Sequence, residues 1–217
     1  GLTLIGNSRG YKTVIIMPET QTQEKIDTLK SIGADLRLVP AKPYKDSNNY
    51  VKISGRIAEE MSNNNKNGVV WANQFDNTLN YLGHYNTTGQ EIWNQTDGQI
   101  DGFVCASGTG GTIAGVSRAL KEKNRDIKIF LSDPKGSALH NYIKSNELTI
   151  EGSSITEGIG SSRVTENFKN ALVDDSYSID DKDALEILFS LIENEGLCLG
   201  TSSGINIAGA IKLAKEI

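Results

Sequence analysis

The stretch Ser107–Thr112, read Ser-Gly-Thr-Gly-Gly-Thr, follows a short apolar run and contains three glycines and two threonines. Glycines let backbone N–H groups come close to an anion, and a helix that starts on such a loop adds unpaired donors and a positive partial charge. The hydroxyls of Ser107, Thr109 and Thr112 can add further donors. The loop therefore reads as a phosphate cradle, with a plain strand-to-helix turn as the alternative. A nucleotide P-loop would end in Gly-Lys-Ser/Thr, and here Gly111 is followed directly by Thr112. A dinucleotide fingerprint needs G-x-G-x-x-G, which Gly108-Thr-Gly110-Gly111 does not supply. What remains is a small monophosphate held without a lysine on the loop.

The elements that would position this loop alternate between strand and helix. Lys12–Met17 is a β-branched run stopped by Pro18, Glu24–Gly33 has helical spacing with Gly33 as its stop, and Asp35–Val39 is the next strand. A turn-rich loop, a helix over Tyr50–Met61, a polar turn and a third strand at Val69–Ala72 follow. The unit then restarts after about residue 80. A strand precedes the glycine loop, a helix over Thr112–Glu122 begins on it, Ile127–Ser132 is another strand, and Ser176–Ile179 can be one more. In the helix after Asp180, Leu185, Leu188, Phe189 and Ile192 form one apolar stripe behind an acidic first turn, which suits the helix dipole. Strands alternating with helices imply open parallel sheets with helices on both faces, and ligands in such folds sit beyond the carboxyl ends of strands.

The bulk numbers exclude some partners. A net charge of −5 with scattered lysines gives no basic block for nucleic acid. No apolar stretch approaches the roughly 20 residues that span a bilayer. The two cysteines, Cys105 and Cys198, have no CxxC neighbour and are expected as buried free thiols rather than a metal or redox pair. N-x-T triplets at Asn86 and Asn94 are short enough to arise by chance, and the chain does not read as secreted. Gly1–Ile5 and the final ten residues both look like helix interiors, so the chain is expected to be a piece of something longer.

The stretch from Ser107 to Lys121, SGTGGTIAGVSRALK, resembles the phosphate-cradling loop of the cysteine synthase and cystathionine β-synthase family of pyridoxal-phosphate enzymes. The resemblance runs in order through RGYKTVIIMPET (Arg9–Thr20), LKSIGADLRLV (Leu29–Val39), NQF (Asn73–Phe75), HYNTTGQEIWNQTDGQID (His84–Asp101), EGIG (Glu157–Gly160) and ENEGLCLGTSSG (Glu193–Gly204). It implies that Gly108, Thr109, Gly110, Gly111 and Thr112 hold the phosphate of pyridoxal 5'-phosphate. It also implies that Ser202, with Ser203 as the neighbouring alternative, meets the pyridine nitrogen. A neutral hydroxyl can donate to an unprotonated ring nitrogen and leaves a weaker electron sink than a carboxylate would, which favours loss of a β-substituent. A serine-rich helix cap is the bland reading of the same pair.

By the same resemblance Gln74 helps bind the substrate carboxylate, with ordinary strand-end capping as its alternative. Gly158 and Gly160 line the cofactor ring, Gly158 on the cofactor side and Gly160 on the substrate side. Arg163 departs from the small and aromatic residues usual after Gly-Ile-Gly; it can face a second anionic group on the substrate or be a loop charge. His84, expected on a helix start, reads as a hydrogen-bonded structural residue, and His140 reads as surface. The family's Schiff-base lysine and its Ser/Thr-rich carboxylate loop are expected upstream of Gly1, so no catalytic residue is expected in this chain, and no metal.

The fold implied is α/β: two open, mostly parallel twisted sheets with helices on both faces, the type II fold shared with tryptophan synthase β. Residues 1–78 are expected to form part of a smaller N-terminal domain, and residues 79–217 a larger cofactor-binding domain, incomplete at its C-terminus. The implied activity of the longer protein is β-replacement, turning O-acetylserine and sulfide into cysteine and acetate. Cysteine desulfhydrase and a non-catalytic cofactor-binding protein are the alternatives. An amino-acid substrate with sulfide, no nucleic acid, a homodimer and an intracellular location, cytoplasmic or mitochondrial, complete the expectation.

Overall fold

A computed structural model describes residues 1–217, which form two compact units, Gly1–Asn73 and Gln74–Ile217. In the first unit the order is α1 (Leu2–Ser8), β1 (Val14–Pro18), α2 (Gln23–Ser31), β2 (Asp35–Val39) and α3 (Tyr50–Asn64). β1 and β2 pair in parallel from Val14 opposite Asp35 to Pro18 opposite Val39. Pro18 takes the last rung, where a missing N–H is tolerated, and the ladder passes on to the N–H of Glu19, which donates to Val39. Gly33, at φ +81°, ends α2, and the N–H of Ala34 returns to the carbonyl of Leu29. The α3 cap is Asn49: its side chain accepts from Val51 N–H at 3.0 Å and donates to the Lys42 carbonyl at 2.7 Å.

Val69–Ala72, expected as a strand, belongs to neither sheet. Val70 is 92% exposed, and Trp71 turns to α3, donating from Nε1 to Ser54 Oγ at 3.1 Å above Gly55. β-Branched and aromatic residues favour a strand only where an edge is open to receive it, and here the indole finds a helix instead.

The second unit runs α4 (Leu79–Asn86), α5 (Thr88–Gln95), β3 (Gly102–Cys105), α6 (Gly111–Lys123), β4 (Lys128–Pro134), α7 (Leu139–Ser145), a 3₁₀ turn (Phe168–Asn170), β5 (Asp175–Ile179), α8 (Asp181–Glu195) and α9 (Thr201–Leu213). Its sheet has the order β3-β4-β5, all parallel. The central strand is buried on both sides, as parallel sheets require. Ile129 and Leu131 join Ile113, Val116 and Leu120 of α6 and Leu139 of α7 in one core. On the opposite face Ser132 donates to the Ile205 carbonyl of α9 at 2.6 Å. A Cβ at Gly209 would lie 2.4 Å from Ser132 Oγ, so α9 rides directly on the sheet. No helix is long and apolar enough to cross a membrane.

The apolar stripe of α8 is only partly used. Leu188 is buried with Ala184 against α9, whereas Phe189 and Ile192 are 61% and 44% exposed. A single neighbouring helix covers one line of a stripe about 100° wide. Cys198 is exposed rather than buried, because it lies in the irregular stretch between α8 and α9. Cys105, at the end of β3, is half-buried rather than fully buried, and desolvation pushes its thiol pKa up to about 12. A thiol so raised stays protonated near neutral pH.

Candidate cofactor site

β3 ends at Cys105, and the chain turns through Ala106–Gly110 into α6. Gly110 is the N-cap, in the left-handed region at φ +85°, and a Cβ there would lie 2.6–2.7 Å from Phe168 atoms, two of them backbone. Gly108 is required for a different reason: its Cβ would sit 2.5 Å from the Gly158 carbonyl. The N–H groups of Gly108, Thr109, Gly110 and Thr112 have no acceptor in the protein. These four donors at the start of a helix are free to meet an anion. Ser107 Oγ, fully buried and unpartnered, lies beside them.

Two further segments reach this turn. The N–H of Gly160 donates to the Ser107 carbonyl at 2.8 Å, which draws the Glu157–Gly160 segment alongside. Asn206 of α9 accepts from Ala106 N–H at 2.8 Å and donates to the Ser202 carbonyl at 2.8 Å, fixing the first turn of α9 next to the end of β3. The N-cap of α9 is Gly200 with no side-chain cap bond, so Ser202 does not serve as the cap. The structure thus brings Gly108–Thr112, Gly158, Gly160 and Ser202 to one end of the sheet, at the carboxyl end of β3.

Gln74 is tied in through its backbone: its carbonyl accepts from Asn80 Nδ2 at 2.8 Å and Asn167 Nδ2 at 3.0 Å. Asn80 also donates to Thr109 Oγ1 at 3.1 Å, and Thr165 donates to the Thr109 carbonyl at 2.6 Å. Arg163 meets the carboxylate of Asp76. Its two terminal nitrogens donate to the two carboxylate oxygens at 2.9 and 2.8 Å, and the guanidinium lies 5.7 Å from the Phe75 ring centroid.

His84 lies in the last turn of α4, not at a helix start, because α4 begins five residues earlier at Leu79. Its Nε2 is 3.3 Å from Thr112 Oγ1 and its Nδ1 is 3.0 Å from Thr88 Oγ1. His140 is half-buried, with Nδ1 2.9 Å from Ser176 Oγ, and burial lowers its pKa. Asn80, Thr165, Asn167 and Asn206 escape sequence reasoning altogether. Each has a partner 29 to 100 residues away, which no local spacing marks.

The Arg163 hydrogen bonds hold the Asp76 carboxyl below its usual pKa, so the pair contributes stability above the unfolded-state value and loses it as pH falls through the folded one. We expect Arg163→Ala to cost about 1–2 kcal/mol near neutral pH for this partly buried pair and to flatten the acid limb of a melting-temperature profile. An unchanged acid limb would remove the pair from the stability account.

Asp133, at the end of β4, behaves oppositely. It is fully buried, its Oδ2 accepts from His140 N–H at 2.7 Å, its Oδ1 has no partner, and burial raises its pKa to about 6. The folded state then binds more protons than the unfolded one between about pH 4 and 6, so stability falls as pH rises through that window, by up to roughly 3 kcal/mol. Asp133→Asn is expected to remove that fall. An identical pH profile in the variant would contradict it.

Comparisons with known proteins give the family. A family model described as pyridoxal-phosphate dependent enzyme matches residues 1–217. The chain belongs to the pyridoxal-phosphate dependent enzyme family. Among curated relatives of this family member, cysteine synthase 1 of Neurospora crassa is 47% identical over 222 residues, covering 100% of this chain and 58% of the relative. Cysteine synthase 1 of Emericella nidulans is 45% identical over 222 residues, covering 100% of this chain and 59% of the relative. The solved O-acetylserine dependent cystathionine β-synthase of Helicobacter pylori superposes with a TM-score of 0.85 at 28% identity, covering 100% of this chain and 66% of that one. The fold of this family member is therefore the type II α/β fold, while the chain spans a little under three-fifths of the length of the first two relatives.

The family's cofactor suits the residues present. Free amides at Gly108, Thr109, Gly110 and Thr112 match the acceptor oxygens of a phosphate. Ser202 keeps a hydroxyl that bonds to nothing in the chain and can meet a ring nitrogen.

Proposed function

We propose that the intact protein catalyses a cysteine synthase-like β-replacement, in which O-acetylserine and hydrosulfide give cysteine and acetate. The observation that carries this reading is the set of four free amides after β3, with the first turn of α9 and its Ser202 tied to the end of the same strand, taken with the cysteine synthases among the relatives. Bound pyridoxal phosphate supplies the electron sink for carbon-acid chemistry at Cα. The chain's own residues have narrower tasks. Gly108–Thr112 hold the phosphate with amide and hydroxyl donors. Ser202 donates to the ring nitrogen without charging it, so the sink stays moderate and departure of the β-substituent is favoured. Gly158 and Gly160 leave space beside the ring; a Cβ at Gly158 would touch nothing within 4 Å. Gln74 binds the substrate carboxylate, and Arg163 governs selectivity for an anionic substrate group from its place on Asp76. The Schiff-base lysine is not assigned to any residue of this chain. Residues up to about 78 belong to the smaller domain and the remainder to the cofactor-binding one.

We also infer a homodimer, by family resemblance, and a cytoplasmic or mitochondrial location. The two free cysteines suit a reducing compartment. Product analysis tests the reaction. With O-acetylserine and sulfide the intact protein should release acetate and cysteine in equal amounts. Pyruvate and ammonia from cysteine alone would make it a desulfhydrase, cystathionine as the main product would change the thiol acceptor, and no turnover with the cofactor bound would leave a binding protein.

A further inference from the structure

Asn80 lies outside every motif that led to the cofactor site, yet its carboxamide sits at the base of the phosphate cradle. Its Nδ2 is 2.8 Å from the Gln74 carbonyl and 3.1 Å from Thr109 Oγ1. A carbonyl can only accept, so the nitrogen must face that side, and its second hydrogen is left for Thr109. Thr109 Oγ1 also accepts from Gly111 N–H at 3.3 Å. Both lone pairs of the hydroxyl are then engaged, and its one proton can only be donated to a further group. A separate observation shows how closely the amide is seated. A Cβ at Gly111 would lie 2.1 Å from Asn80 Oδ1 and 2.5 Å from its Cγ, so Gly111 is the space into which the carboxamide fits.

We infer that Asn80 is a positioning residue of the cofactor site. It turns the Thr109 hydroxyl into an obligatory donor to the cofactor's phosphate and couples the cradle to the Gln74 backbone. This rests on the proposed cofactor site and adds to it a residue that touches no cofactor atom itself. The Asn80→Asp change keeps the shape but replaces the donating nitrogen with an acceptor. The Thr109 proton then turns toward Asp and away from the phosphate, and the carboxylate opposes the Gln74 carbonyl. Asn80→Ala removes the donor and leaves a space against Gly111.

The test measures dissociation constants of pyridoxal 5'-phosphate and of pyridoxal, which lacks the phosphate, for the intact wild-type protein, Asn80→Ala, Asn80→Asp, Thr109→Val and the Asn80→Ala/Thr109→Val double variant. A lost charge-assisted hydrogen bond should weaken pyridoxal phosphate about 10- to 100-fold in each Asn80 variant. Pyridoxal binding should stay within about threefold of wild type, a split that a merely structural role would not give. With Thr109→Val already present, Asn80→Ala should add little, because both act through the same hydroxyl. Equal weakening of both ligands, full additivity in the double variant, or wild-type affinity in both Asn80 variants overturns the inference. So does failure of both Asn80 variants to fold in excess cofactor, since Asn80 would then be a residue of the fold. A wild-type protein that binds neither ligand refutes the cofactor site itself, an outcome distinct from all of these.

Discussion

Gly110→Ala is expected to strip the intact protein of its cofactor. A non-glycine residue at φ +85° costs about 1–2 kcal/mol. The added methyl would also meet Phe168 backbone atoms at 2.7 Å, which cannot move without displacing the 3₁₀ turn. The loop must shift, and the amides of Gly108–Thr112 shift with it. Losing two charge-assisted hydrogen bonds at about 1.5–3 kcal/mol each weakens retention by roughly two to four orders of magnitude. Gly196→Ala, at the C-cap of α8, is the matched control. Gly196 has φ +67°, and its Cβ would meet nothing within 4 Å, so only the backbone strain applies. Cofactor occupancy after dialysis, beside a melting curve, checks both. Full retention in a folded Gly110→Ala protein would reduce the turn to a connection between β3 and α6.

Ser202→Asp should slow turnover by about 10- to 100-fold or more while cofactor retention largely survives. The hydroxyl has no partner in the chain, and it stands in the first turn of α9, held there by Asn206. A carboxylate in that place raises the proton affinity of the ring nitrogen and strengthens the electron sink, which retards loss of the β-substituent. Ser202→Ala, which removes the donor without adding charge, should be milder. Steady-state rates with O-acetylserine and sulfide separate the variants. If both react at the wild-type rate, the ring partner is another group, and Ser203 is the next to test.

Much of both units was legible because the signals are local. The β-branched run before Pro18, Gly33 after a helical repeat, and the glycine turn between an apolar strand and an apolar helix each carry their own conformational cause. Val69–Ala72 misled because strand propensity says nothing about whether an edge is free to pair. The α8 stripe misled similarly: periodicity marks an apolar face but not the neighbour, and Phe189 lies beyond what α9 covers. His84 was legible as a bonded residue but not in its place on the helix, since α4 carries no start signal beyond Asn77, whose side chain accepts from Leu79 N–H.

The site divided along the same line. Its glycines and hydroxyls could be read from composition and order, because backbone access to an anion leaves a compositional mark. The asparagines could not. Asn80 and Asn206 join the turn to segments distant in sequence, Asn167 ties its own segment to Gln74 and Phe75, and a single polar residue looks the same whether it spans such a gap or faces solvent. Arg163 shows the converse: its charge was visible, but its carboxylate partner lies 87 residues away.

A crystal structure of the intact protein with pyridoxal 5'-phosphate tests the central claim most directly. The account predicts the phosphate oxygens within about 3 Å of the amides of Gly108, Thr109, Gly110 and Thr112. It also predicts Ser202 Oγ within hydrogen-bond distance of the ring nitrogen. A phosphate bound elsewhere, with those amides facing only solvent, would contradict it.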